Sequence, residues 1–261
     1  MSDDFVVVER DGAVATVRID RPAVHNALNA RLVRRLGAEI GALAADGTRA
    51  IVLTGTGEKA FSAGADLDEL ATLDAETAHT VMRAGQAVFR EIERSPVPVI
   101  AAVNGLALGG GFELVLACSF AVVSHKASLG LPEAGLGLIP GYGGTQRLAR
   151  VAGPAVARHV MLTGSRIDAE RAYQLGLAVL PPTEPAELLP TALELAGTIA
   201  TKGPRACRAI LDVVDRGLDV PLDAGLALET GLAALAIGGG ESSEGVAAFK
   251  DKRAPRFGER A

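Results

Sequence analysis

Two carboxylates stand out for the company they keep. Glu113 follows Gly109-Gly110-Gly111 and sits in an otherwise apolar run, Phe112 to Ala117. Glu133 lies in Leu131-Pro132-Glu133-Ala134-Gly135 and is the only charge between Lys126 and Arg147. An acid isolated among apolar and glycine residues is costly to ionise, which raises its pKa and suits it to general acid–base work. The same residue types also serve as helix-start caps, so each carboxylate alone carries both readings. Two Gly/Ala loops accompany them. One is Gly109 to Gly111, just ahead of a helix; the other runs from Gly55 to Asp66, ahead of a short helix at Asp66. Small side chains let a ligand oxygen approach the backbone, and unpaired N–H groups gather at helix starts. Two such loops together could supply the convergent donors of an oxyanion hole, whereas either alone reads as tight turn packing.

Other chemistry fits less well. Ala60-Phe61-Ser62-Ala63-Gly64 lacks the first glycine of a nucleophile elbow. Gly55-Thr56-Gly57-Glu58-Lys59 lacks phosphate-loop spacing, and the triple glycine lacks the dinucleotide order. His25, His79, His125 and His159 show no metal-ligand spacing.

The elements that must carry these residues follow from periodicity. Phe5–Glu9 and Ala13–Ile19 flank Asp11-Gly12, a hairpin signal. Asn29 is placed to cap a helix with Leu32, Val33, Leu36, Ile40 and Leu43 on one face. Short buried strands are expected at 50–54, 99–103 and 120–123, with a helix over 75–94 stopped by Pro96 and Pro98. The triple glycine opens a helix at 112–117. Beyond Pro140 the pattern is helical: 144–163, 168–175, 186–200, 204–216, 221–237 and 242–250. Strands mixed with helices, then helices alone, predict a layered α/β core with a helical appendage.

Composition narrows the classes. The 261 residues carry 26 Lys+Arg against 31 Asp+Glu, an acidic balance that argues against a general nucleic-acid binder. A hydrophobic share of 49% excludes a disordered chain. With aromatics at 3%, the core must be built from Ala, Val, Leu and Ile. Two cysteines, Cys118 and Cys207, make no disulfide framework, and the acidic start shows no secretory signal. The expectation is a soluble cytoplasmic protein with no membrane partner.

Taken together, several stretches resemble the crotonase superfamily, and its enoyl-CoA hydratases most closely. They are Asn26-Ala27-Leu28-Asn29, Lys59 to Leu67, Ala102 to Leu114, Leu131-Pro132-Glu133, Ile139 to Leu148 and Glu244 to Arg253. The resemblance spans nearly the whole chain. It implies an α/β spiral of ββα turns over residues 1–198 and a helical trimerisation region over 199–261, in a homotrimer or dimer of trimers. It implies an oxyanion hole of the Ala65 and Gly110 N–H groups. Glu113 would activate water and Glu133 would supply the Cα proton; isomerases of the one-glutamate type keep only the equivalent of Glu133.

The resemblance also implies an acyl-CoA substrate, and no metal or redox cofactor. Ala23, Val24, Ala27, Ala63, Asp66 and Leu67 would line the coenzyme A groove, with Gly109 beside them. Lys59 would lie near the nucleotide, and Phe249 and Lys252 of a neighbouring subunit would cover the adenine. Asp68 stands where several hydratases carry Lys, and His25 where Arg, Lys or Leu is frequent, so phosphate recognition would be weaker here or carried by other residues. The acyl pocket should draw on Leu67, Leu70 and the regions of Leu106, Leu138 and Tyr142. The alternatives are an enoyl-CoA isomerase or other crotonase reaction, or a non-catalytic acyl-CoA-binding protein.

Overall fold

The computed structural model describes residues 5–257. β1 (Val6–Asp11) and β2 (Val14–Ile19) form the expected hairpin, with Val6 opposite Ile19. A 3-10 turn, Pro22–Val24, leads to α1 (Ala30–Ala45). The Asn29 side chain caps α1 by accepting from the Leu32 N–H at 2.8 Å, and the helix buries the predicted stripe of five residues.

From there the chain winds in turns of two strands and a helix. β3 (Ala50–Gly55) and β4 (Ala60–Ser62) lead into α2 (Leu67–Leu70) and α3 (Ala75–Glu93). β5 (Val99–Val103) and β6 (Leu106–Leu108) lead into α4 (Gly110–Ala117). β7 (Phe120–Val123) and β8 (Ser128–Gly130) lead to a 3-10 turn, Glu133–Leu136, and α5 (Gly144–Ala152). After α6 (Pro154–Thr163), β9 (Ile167–Asp168) and α7 (Ala169–Gln174) come α8 (Pro185–Ala200), α9 (Pro204–Gly217), α10 (Leu222–Ile237) and α11 (Gly240–Lys250).

The winding makes two sheets, one ordered β1-β2-β3-β5-β7 and the other β4-β6-β8-β9. All pairings beyond the hairpin are parallel except β8 with β9. A parallel sheet needs cover on both faces, and β3 shows it. Its Ile51 and Leu53 enter the core shared with α1, Phe61, Phe89 and Phe112. Its Ala50 and Val52 face Leu188, Ala192 and Ala196 of α8. With few aromatics, small Ala and Val residues bring the layers close.

Three expectations need correcting. The stretch read as one loop from Gly55 to Asp66 contains β4 (Ala60–Ser62), too short to show an alternating pattern. The helix read over 144–163 is two helices, because Gly153 turns with φ 83° and Pro154 begins α6. The helix expected from Phe112 begins at Gly110, so the second and third glycines of the triplet are its first turn. α10 has no buried residue, and Leu222, Leu235 and Ile237 are 74–76% exposed. Among the described residues no single helix is long and apolar enough to cross a membrane.

Candidate active site

The glycine triplet is placed by strand pairing. β6 runs between β4 and β8, and its end delivers Gly109, whose N–H bonds Gly130 O at 2.9 Å. Gly109 has φ 48° and turns the chain into α4. Gly110 opens the helix, so its N–H has no intrahelical acceptor.

The second loop is laid alongside by a short parallel ladder. The Ala63 N–H bonds His25 O, the Leu28 N–H bonds Gly64 O, and the Asp66 N–H bonds Leu28 O, at 2.7–2.9 Å. This pattern uses the amides on either side of Ala65 and turns the Ala65 N–H the other way. Gly64, at φ 101°, approaches so closely that a Cβ there would lie 2.6 Å from Leu108 O. A Cβ on Gly110 would lie 3.6 Å from the Ala65 nitrogen, which places the two N–H groups as neighbours.

Both carboxylates reach the same cavity, of 890 Å³, together with Ala65, Gly109 and Gly110. Glu113 is only 2% exposed. Its Oε1 accepts from the Tyr142 N–H at 2.8 Å and the Gly144 N–H at 2.7 Å. Burial pushes its pKa up; those bonds and the nearby Arg147 charge oppose the shift. Glu133 is pushed up to about 7, chiefly by burial and further by Glu113. Its Oε1 packs against Gly109, where a Cβ would come within 3.0 Å. Its Oε2 is buried and has no hydrogen-bond partner among the described residues. A buried oxygen left without a partner is costly, and a ligand or water in the cavity would satisfy it.

Most of the groove residues anticipated from sequence line this cavity: Val24, Ala27, Ala63, Asp66 and Leu67. Ala23 and Lys59 are exposed and do not line it. Phe249 is 85% exposed on α11 and Lys252 follows that helix; neither lines the cavity of its own subunit. Leu67, Leu70, Leu138 and Tyr142 are on the wall as expected. Leu106 is not; Leu108, two residues on along the same face of β6 and next to Gly109, lines it instead.

Sequence reasoning missed the part played by α3, whose Ala78, Met82 and Gln86 line the cavity. The available signal was Gly85 in a stripe with Met82 and Phe89, an absent side chain on a packed helix face. The Tyr142 ring fills that gap, 5.0 Å from the Phe89 ring centroid. Arg21 and Asn26 were also underread. Arg21 donates to Asp66 Oδ2 at 3.1 Å and to Ala27 O at 2.7 Å. Asn26, fully buried, accepts from the Arg21 N–H and donates to Thr56 O and Ala60 O. Together they fix the wall that carries Val24 and Ala27.

The two-sheet α/β spiral matches structures of the crotonase fold. The chain belongs to the enoyl-CoA hydratase/isomerase family, whose profile matches residues 9–260. It is 38% identical over 258 residues to a crotonyl-CoA hydratase of Syntrophomonas wolfei subsp. wolfei, covering 98% of this chain and 99% of that protein. It is 39% identical over 249 residues to a short-chain-enoyl-CoA hydratase of Clostridium acetobutylicum, covering 95% of each. A crystal structure of an enoyl-CoA hydratase from Bacillus anthracis superposes with a TM-score of 0.94 at 38% identity, over 98% of this chain and 100% of that one.

Proposed function

We propose that this protein is an enoyl-CoA hydratase that adds water across the 2,3 double bond of an enoyl-CoA thioester to give the 3-hydroxyacyl-CoA. The observation that carries the reading is the unequal pair on one cavity: Glu113 held by two backbone donors, and Glu133 with a raised pKa and a free buried oxygen. Glu113 in its ionised form orients water and takes its proton as the oxygen bonds Cβ. Protonated Glu133 delivers a proton to Cα. Between these events charge develops on the thioester oxygen, and the Ala65 and Gly110 N–H groups receive it. Such preorganised donors act most strongly where water is excluded. The reaction is redox-neutral, and the two carboxyls and two amides supply its acid, base and electrophile, so it needs no metal or redox cofactor. The coenzyme A moiety lies along Val24, Ala27, Ala63, Asp66 and Leu67. The Leu70 and Leu138 side of the cavity takes the acyl chain.

The working form is a homotrimer or dimer of trimers in the cytoplasm, with the exposed apolar residues of α10 and α11 at subunit contacts. Hydration of crotonyl-CoA, followed as loss of its ultraviolet absorbance, tests the reading. Absence of turnover by folded protein across short and medium enoyl-CoA thioesters would overturn it.

A further inference from the structure

A second cavity, of 400 Å³, adjoins the first and shares Gln86 and Tyr142 with it. Its wall holds an ion-pair chain that the hydration scheme does not use. Arg147, on α5, is 13% exposed in its side chain and pairs with Glu93 of α3 through Nε at 3.1 Å and Nη2 at 2.8 Å. Arg90 donates to the same carboxylate at 2.7 Å and to Asp219, just beyond α9, at 2.9 Å. Burial pushes the Glu93 carboxyl up, but the two guanidinium partners outweigh it and hold it below the ordinary carboxylate range.

The remaining Arg147 donor, Nη1, bonds Tyr142 O at 2.8 Å. Tyr142 is thus gripped on both sides of its backbone: its N–H holds Glu113 and its carbonyl is held by Arg147. Gly143, between the two amides that bind Glu113, has φ 110° and no side chain, and a Cβ there would overlap the Arg147 guanidinium. The loop that orients Glu113 is therefore shaped around this one cation.

We propose that Arg147 is a positioning residue for Glu113. Held by Glu93, it fixes the Tyr142–Gly144 amides that aim the carboxylate and places a positive charge that favours its ionised form. The proposal rests on the hydratase reading for the meaning of that aim. Around Glu113 the other titratable groups are Glu133 on the 3-10 turn and the Tyr142 phenol. Around Arg147 they are Glu93 and Arg90 on α3, Cys118 after α4, Arg150 on α5, and Asp215 and Asp219 on and after α9. Burial disfavours a negative Glu113, and Arg147 is the cation that opposes it.

The test is Arg147→Met and Arg147→Lys, assayed with crotonyl-CoA over a pH series. Arg147→Met should lose roughly 10- to 100-fold in kcat, as expected for a displaced catalytic group, with KM little changed. Its acidic limb should move to higher pH, and Arg147→Lys should recover part of both effects. In parallel, the 13C NMR titration of the Glu113 carboxyl, assigned with Glu113→Gln, should shift upward in Arg147→Met whether or not the protein turns over. If Arg147→Met does not fold, Arg147→Lys and the paired Glu93→Gln/Arg147→Met variant carry the same readouts. An unmoved pH profile and NMR titration in folded variants overturn the positioning role, even if activity falls. An inactive parent overturns the hydratase reading instead, and the titration still decides on Arg147.

Discussion

Glu113 and Glu133 face one cavity, yet only Glu113 is tied down: two backbone amides hold its Oε1, while the Oε2 of Glu133 is buried without a partner. Two nearby carboxyls do not both ionise readily. The backbone bonds favour ionised Glu113, so in the proposed scheme the proton is held by Glu133. Each position can then be tested separately.

Glu113→Gln keeps the side-chain volume and an oxygen to accept the Tyr142 and Gly144 amides, but it removes the base. Hydration of crotonyl-CoA should fall by about 10²- to 10⁴-fold with thioester binding retained. Steady-state rates and a binding titration check this. Undiminished hydration would remove Glu113 from the role of base, and double-bond migration without hydration in the parent would favour an isomerase.

The pH profile should be bell-shaped. With Glu133 pushed up to about 7, the protonated form is lost above that pH, and kcat/KM should decline on that side. The acidic limb should lie above the ordinary carboxylate range, because burial raises Glu113. Both limbs are properties of the coupled pair. Stability has its own sign. A carboxyl with a folded pKa above its unfolded value stabilises at pH below the unfolded value, and that contribution is lost as pH rises through about 7. Thermal melts from pH 5 to 8 should therefore fall more steeply for the parent than for Glu133→Gln.

Gly110→Pro removes one proposed oxyanion donor at the first position of a helix, where proline is accepted. The nearest atom to a Cβ there is Tyr142 Cδ2 at 3.5 Å, an ordinary contact. Turnover should drop about 10²- to 10³-fold while the melting temperature changes little. A folded variant with parental kcat would remove Gly110 from the oxyanion role.

Gly85→Ala should destabilise, against its helix propensity. Alanine gains about 1 kcal/mol over glycine inside a helix. Here, though, its Cβ would overlap the Tyr142 ring, and overpacking costs about 1–3 kcal/mol. Denaturant unfolding should show a loss in the parent background and a gain in Tyr142→Ala, where the ring is gone. The same sign in both backgrounds would mean that Tyr142 does not set the effect.

Light scattering should give the mass of three or six chains, because the apolar residues of α10 and Phe249 are left open in one subunit. A monomer at micromolar concentration would refute the proposed assembly.

Legibility in the sequence followed the length of each pattern. Asn29 and its stripe to Leu43 specify α1 within the chain itself, and the hairpin around Gly12 is equally local. The strands β4, β6 and β8 have three residues each, too few to show a period of two. Only pairing with one another defines them. The helix read through Gly153 broke because one positive φ outweighs continued apolar spacing. At the site, Glu113 and Glu133 were legible because a lone charge among apolar residues is conspicuous. Arg147 was not, since an arginine on an amphipathic helix looks solvated until the tertiary structure sets Glu93 against it.

The winding of β3, β5 and β7 in one parallel sheet and β4, β6 and β8 in the other has a kinetic consequence. The cavity collects segments from Val24 to Tyr142, delivered by successive turns of the spiral. Parallel pairs form only after the intervening chain has been ordered, so such topologies fold slowly. During synthesis the amides of Ala65 and Gly110 emerge well before the loop that grips Glu113. No nascent or truncated chain ending before Gly144 carries both amides that hold Glu113, so the proposed hydration needs the turn that ends in α5.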